Sequence, residues 1–105
     1  MIEPESALSR TRELFASGVT RDLAFRVRAL RRLAHSIEAR EPQLLEALHA
    51  DLRKPAQEAW ASEICVVLTD IAYTTRKLRR WARPRRLSAT WGLRPASARV
   101  YPEPQ

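Results

Sequence analysis

The chain has 105 residues, a formal net charge of +7 and 45% hydrophobic residues, which is typical of one small folded domain or of a fragment of a larger one. Its two glycines exclude a Gly-rich phosphate loop, and its longest apolar run, residues 64–68, is too short to span a bilayer. The acidic, polar amino terminus does not resemble a secretory signal. The single cysteine, Cys65, excludes an internal disulfide and fits a reducing compartment, so we expect a cytoplasmic protein.

Two helices are predicted in the first forty residues. The first runs from Glu5 to Ala16 and ends at Gly18, because glycine readily adopts the left-handed conformation that closes a helix. The second runs from Arg21 to about Ala39. We expect Thr20 to cap it through its side-chain oxygen and Asp22 to lie in its first turn, where the helix dipole favours a negative charge. Its apolar face consists of Leu23, Val27, Leu30, Ala34 and Ile37.

A third helix and a much longer fourth one follow. The third runs from Pro42 to Leu52, since proline is tolerated in the first turn of a helix, and it has a leucine-rich face. The fourth runs from Glu58 to Arg83 with no glycine or proline, and its apolar residues recur every three or four positions. These residues are Trp60, Ile64, Val67, Leu68, Ile71, Leu78 and Trp81 or Ala82.

The chain beyond Pro84 has no helical period. Ala98 to Tyr101 has β-favouring residues and is predicted to form a short strand, whose partner would lie in the region Leu87–Leu93. The predicted fold is therefore mostly α, with three shorter helices packed with one long helix, followed by an extended tail that can form a β-hairpin.

The residue types that carry out catalysis are better explained as structural. Cys65 lies among apolar neighbours and far from any helix start, so we expect it to be packed in the interior and unreactive. His35 and His49 have no partner at metal-ligand spacing and are interpreted as surface or half-buried residues. The aromatic residues Trp60 and Tyr73 fall at helical spacing, as does Trp81, and are expected in the core or at its rim.

The carboxylates show no pairing suited to catalysis. Seven of the twelve carboxylates fall on predicted helix surfaces, and none of these seven lies beside a nucleophile or a glycine turn. They are Glu38, Glu41, Glu46, Asp51, Glu58, Glu63 and Asp70.

One segment, Arg76 to Arg86, has an unusual charge. It carries seven basic residues and no acidic one, and we call it the basic stripe. Such a stripe attracts phosphate groups, which makes a small basic helical module that binds nucleic acid or an anionic membrane surface an alternative hypothesis.

A series of short segments in one order resembles a known family. The resemblance covers the chain from about Leu8 to Pro104 and is to the amino-terminal region of the class 3, fatty-aldehyde-type branch of the aldehyde dehydrogenase superfamily. The segments are residues 17–21 (SGVTR), 45–55 (LEALHADLRKP), 58–60 (EAW), 62–64 (SEI), 78–84 (LRRWARP) and 100–104 (VYPEP).

This resemblance implies NAD(P)-dependent oxidation of an aldehyde to a carboxylic acid, through a cysteine thioester and with a glutamate as general base. It implies that residues 1–84 are a helical segment of the cofactor-binding domain and that residues 85–105 resemble part of a β extension that bridges subunits. Arg99, Val100 and Tyr101 would then lie in a subunit-interface strand. The implied partners are the remainder of such a polypeptide or a second subunit of a homodimer.

The departures from the family pattern limit what this chain is expected to do. The family's dinucleotide site, catalytic glutamate and nucleophilic cysteine all come after the region that corresponds to Gln105. We therefore expect no catalytic, cofactor-binding or metal residue here, and no activity from the chain alone.

Cys65 replaces a small residue of the family and is not its nucleophile. Arg53 stands where glycine is common, which predicts an altered turn before Pro55. The family's stripe is also basic, which makes nucleic-acid binding less favoured.

Overall fold

The computed structural model describes residues 4–104, and most of them are helical. Helix α1 spans Pro4–Ala16, α2 spans Leu23–Ala39 and α3 spans Glu41–Leu52. These three elements confirm the three shorter helices expected from the sequence. The proline at the second position of α3 costs no hydrogen bond, because the first N–H groups of a helix have no partner within it.

The long helix is present but contains an irregular turn. It consists of α4 (Ala56–Ala59), a π-helical turn (Trp60–Ile64) and α5 (Cys65–Trp81). The backbone is right-handed helical at both junctions, with φ −62° and ψ −50° at Trp60 and φ −61° and ψ −39° at Cys65. The three segments therefore form one continuous helix, which begins and ends two residues earlier than the predicted 58–83.

The residue that caps the start of α2 is not the one that was predicted. Gly18 closes α1 with a positive φ of 74°, as expected, and residues Val19–Arg21 then form a 3-10 turn. That turn contains Thr20, so the prediction that Thr20 caps α2 is wrong. Asp22 is the cap instead: its carboxylate oxygens accept hydrogen bonds from the N–H groups of Ala24 at 3.0 Å and Phe25 at 3.1 Å.

The carboxyl end of the chain forms the predicted hairpin, but its first strand lies earlier in the chain than predicted. Strand β1 spans Arg85–Leu87 and pairs antiparallel with β2, Ala98–Val100. The first strand was expected within Leu87–Leu93, which is wrong except for Leu87, because residues Trp91–Leu93 form a 3-10 turn. The second strand lies where it was predicted. Its extension to Tyr101 is not part of the ladder.

The described chain divides into two compact units. One is Arg26–Lys77, and the other combines the segment up to Phe25 with the segment from Leu78 onward. In the second unit, Arg21 and Glu103 form an exposed ion pair at 3.6 Å. All buried hydrophobic residues among positions 4–104 belong to the first unit and to the long helix; they are Ala59, Ile64 and Ile71.

The apolar faces predicted for the helices are only partly covered. The five residues that form the predicted face of α2 are all half-buried, which confirms its orientation. On the other helices, Leu44, Leu52 and Val67 are 37%, 58% and 45% exposed, respectively. Within residues 4–104, no helix has the length and apolar character needed to cross a membrane.

Candidate docking surfaces

Cys65 does not reach the interior position expected for it. It is half-buried, and its Sγ lies 4.0 Å from the Thr69 hydroxyl one turn further along α5. Consecutive residues on a helix are rotated by about 100°, so Cys65 is turned away from the direction in which its buried neighbour Ile64 points. The apolar neighbours in the sequence therefore did not predict its burial. No catalytic acid or base forms a hydrogen bond with its thiol within residues 4–104.

The histidines are surface residues, as expected. His35 and His49 are both exposed, and the Nδ1 of His49 donates a hydrogen bond to the carbonyl oxygen of Lys54 at 3.1 Å. Across the part of the chain that the structure describes, no group of three His, Cys, Asp or Glu side chains is placed to hold a metal ion.

One ion pair near the start of the long helix was missed by the sequence analysis. The Lys54 side chain is only 24% exposed; its ammonium group forms an ion pair with Glu63 and lies 3.4 Å from the hydroxyl of Ser62. The two partners are nine positions apart, and Lys54 lies in the connection between α3 and α4, so no helical spacing connects them. The pair joins the residues after α3 to the π-helical turn. The other six predicted surface carboxylates remain on helix surfaces.

The aromatic residues of the long helix lie at the rim of the packed region. Trp60 is 40% exposed, Tyr73 is 45% exposed and Trp81 is 48% exposed, so none is a core residue. The Nζ of Lys77 lies 5.9 Å from the centre of the Tyr73 ring. A fourth aromatic residue, Trp91, is 84% exposed and was not singled out from the sequence.

An open apolar groove lies in the unit Arg26–Lys77. Its volume is about 380 Å³, and its walls come from α2, α3 and the long helix. It is lined by Ile37, Leu44, Ala47, Leu48, Asp51, Glu63, Ile64 and Val67. Six of these eight side chains are apolar, which is typical of a surface that packs against other protein.

The hairpin is the second surface that lacks a covering layer. Every residue of both strands is exposed, and a two-stranded sheet leaves one edge of each strand without a hydrogen-bonded neighbour strand. The predicted interface residues Arg99 and Val100 lie in β2, and Tyr101 follows it; Val100 is 39% exposed and Tyr101 is 59% exposed. Arg86 pairs directly with Arg99, a like-charge pair that weakens the hairpin by itself.

The basic stripe lies at the end of α5 and continues into β1. Six of its seven basic residues are exposed, and Lys77 is half-buried. No carboxylate within residues 4–104 forms an ion pair with any of the seven. The positive charge of the stripe is therefore not neutralised locally.

Comparison with known proteins identifies the relatives of this chain. No family model matches it. It is 36% identical over 100 residues to aldehyde dehydrogenase family 3 member B1 of Mus musculus, covering 95% of this chain and 21% of the mouse protein. It is 34% identical over 104 residues to the dimeric NADP-preferring aldehyde dehydrogenase of Canis lupus familiaris, covering 99% of this chain and 23% of the dog protein.

The structural comparison agrees with these matches. The substrate-bound structure of AldH from Staphylococcus aureus superposes with a TM-score of 0.91 and 30% identity, over 99% of this chain and 23% of the AldH chain. The chain thus spans about a fifth of the length of the curated relatives it matches. In both sequence and fold, it corresponds to the amino-terminal region of the class 3 aldehyde dehydrogenases.

Proposed function

We propose that this chain acts as the amino-terminal region of an NAD(P)-dependent aldehyde dehydrogenase, and that it supplies docking surfaces while other residues supply the chemistry. The observation that carries the proposal is the apolar groove of the unit Arg26–Lys77, which remains open although the helices around it are formed. Oxidation of an aldehyde to a carboxylic acid, and the use of NAD(P), come from the resemblance to the family. We expect the chain alone to bind neither cofactor nor aldehyde.

The groove is the place where the remainder of such a polypeptide would dock. Burial of apolar surface is worth about 25 cal/mol per Å², so covering Leu44 and Val67 would add stability that the chain alone lacks. Without that cover, we expect the chain to be marginally stable or to self-associate through its apolar surface. A concentration-independent, cooperative melt of a monomer would contradict this expectation.

The hairpin would provide a contact with a second subunit. The free edge of β2 exposes backbone N–H and C=O groups that another strand can pair with; Arg99 and Val100 lie along this edge, and Tyr101 follows directly after it. We therefore propose that the second subunit of a homodimer binds at this edge.

The test measures activity of the chain alone and in the presence of the rest of a related enzyme. The purified chain is incubated with NAD⁺ or NADP⁺ and a series of aldehydes, and we expect no reduced nicotinamide. A form of Staphylococcus aureus AldH that lacks its matching region is then added, and we expect the two to co-purify and to produce reduced nicotinamide. Turnover by the chain alone would overturn the proposal.

A matched pair of variants tests the role of the groove. Val67→Glu places a charge in the groove, whereas Val66→Glu places the same charge on a neighbouring side chain that is 57% exposed and outside the groove lining. We expect Val67→Glu to abolish co-purification and Val66→Glu to retain it. Equal effects of the two variants would show that the groove is not the docking surface.

A further inference from the structure

Two carboxylates line the apolar groove of the unit Arg26–Lys77. On the wall formed by α3, Leu44, Leu48 and Asp51 are spaced by four and three positions, so they lie on the same face of that helix. Asp51 is the last of the three and comes one residue before α3 ends. The wall formed by the long helix contributes Glu63. All other residues that line the groove are apolar.

The two carboxylates belong to the same end of the groove. Glu63 forms an ion pair with Lys54, and Lys54 follows Asp51 by three residues. Three residues span at most about 11 Å, so the ion pair holds Glu63 near the carboxyl end of α3. This end of the groove is therefore acidic, whereas the rest of the lining is apolar.

Only one of the two carboxylates is neutralised within the unit. Glu63 is paired with the ammonium group of Lys54, whereas the carboxylate of Asp51 is exposed and makes no hydrogen bond or ion pair with residues 4–104. The nearest basic residue in the sequence, Arg53, is also exposed and does not pair with Asp51. One negative charge of the groove thus has no counterpart in the part of the chain that the structure describes.

The position of Asp51 is unfavourable for α3 itself. Aspartate has a low helix propensity, and a negative charge in the last turn of a helix is repelled by the negative end of the helix dipole. Covering the groove would add a second cost, because a carboxylate that loses its water without gaining a partner is strongly destabilised. A positive charge supplied by the occupant of the groove would offset both costs.

We propose that the segment that docks in the groove has an apolar face and carries a lysine or arginine at one end, and that this basic group pairs with Asp51. The occupant is part of the remainder of the polypeptide, so the inference rests on the proposed function and adds the chemistry of the docking segment. One basic group is sufficient, because Lys54 already neutralises Glu63. An acidic or wholly apolar occupant would leave the carboxylate of Asp51 covered and unpaired.

The experiment uses peptides, so it does not require the rest of an enzyme to fold. Overlapping peptides that cover the part of Staphylococcus aureus AldH outside the matching region are titrated against the whole chain, and binding is followed by the rise in its melting temperature. We expect the peptides that bind to combine an apolar face with a lysine or arginine. Replacing that basic residue with glutamine should weaken binding about fivefold, and replacing it with glutamate should weaken binding about tenfold or more.

Variants of the chain identify the partner of the basic group. Asp51→Asn should weaken peptide binding about fivefold, and Asp51→Lys should weaken it about tenfold or more. Asp51→Lys should also restore binding of the peptide whose basic residue has been replaced with glutamate. The control is Asp70→Lys, which makes the same change at an exposed aspartate on the long helix outside the groove lining, and it should leave binding unchanged.

Melting of the free chain separates a role in docking from a role in the fold. Asp51→Asn removes the repulsion between the carboxylate and the helix dipole, so it should not lower the melting temperature of the chain alone. A variant that binds peptide less tightly but is as stable as the wild type has lost a contact with the partner. Loss of stability in the free chain would show instead that Asp51 supports α3.

Failure of this inference differs from failure of the proposed function. If Val67→Glu abolishes peptide binding but Asp51→Lys leaves it unchanged, the groove is the docking surface and the basic partner is wrong. The same conclusion follows if binding does not depend on the basic residue of the peptide. If no peptide binds the wild-type chain, or if Val67→Glu binds as well as the wild type, the groove is not the docking surface, and the pairing with Asp51 is refuted with it.

Discussion

Arg53 occupies a backbone conformation that costs free energy for any residue with a side chain. It follows α3 with φ 56° and ψ 21°, which is left-handed, and its N–H donates a hydrogen bond to the carbonyl oxygen of His49 at 2.9 Å. Its side chain is exposed and makes no hydrogen bond or ion pair with residues 4–104. Among residues 4–104 it is the one residue other than glycine with a positive φ. We therefore predict that Arg53→Gly stabilises the chain.

The size of the effect is the difference between two opposing contributions. A left-handed conformation costs a residue with a Cβ about 1–2 kcal/mol, and glycine relieves this cost. Glycine also has more conformational freedom in the unfolded chain, which costs about 0.5–1 kcal/mol on folding. The expected net stabilisation is about 0.5–1 kcal/mol. It corresponds to a rise in melting temperature of about 2–6 °C for a domain of this size.

Thermal and urea unfolding followed by circular dichroism at a fixed protein concentration provide the measurement. Arg53→Ala is the control, since alanine keeps the Cβ and so retains the strain, and it should change stability by less than about 0.5 kcal/mol. Arg53→Asn should fall between the two because asparagine tolerates the left-handed region. Stability of Arg53→Gly at or below that of the wild type, or equal gains from glycine and alanine, would refute the assignment of strain to this turn.

Three further predictions concern contacts within the two units. Asp22→Ala should destabilise the chain by about 1 kcal/mol in urea unfolding, and Asp22→Asn should retain most of the cap; equal losses would show that the charge and not the cap matters. Ile64→Val should cost about 0.5–1.5 kcal/mol because Ile64 is 4% exposed, whereas Val66→Ala should cost less than about 0.5 kcal/mol; a larger loss at Val66 would contradict the assigned core. A double-mutant cycle with Lys54→Ala and Glu63→Ala should give a coupling of about 0.2–1 kcal/mol that falls with added salt, and a coupling of zero would mean that the pair contributes nothing.

The helices could be predicted from the sequence because their signals are local. The spacing of Leu23 to Ile37 on α2 identifies a face that is half-buried throughout, and Gly18 marks the end of α1 with the expected left-handed conformation. The family resemblance, carried by several short segments, was confirmed by the sequence and structural matches.

Features that depend on pairing between distant residues could not be predicted in the same way. The first strand has the sequence Arg85–Leu87, which resembles the end of a basic helix, and only its pairing with β2 makes it a strand. The ion pair between Lys54 and Glu63 connects the residues after α3 to the π-helical turn and follows no helical spacing. The altered turn expected at Arg53 stays a prediction; Arg53 itself lies in the left-handed region, which glycine adopts most readily.

This chain superposes closely on part of a larger enzyme, yet the chain by itself buries little apolar surface. Among residues 4–104 only Ala59, Ile64 and Ile71 are buried hydrophobic residues, yet the TM-score with Staphylococcus aureus AldH is 0.91. Caps, left-handed helix ends and apolar faces can specify where helices begin and end, but they do not replace the free energy of burial. We infer that this free energy comes from whatever covers the groove. A partner that binds only the folded chain stabilises it by RT ln(1 + [L]/Kd), so the melting temperature should rise with the concentration of that partner.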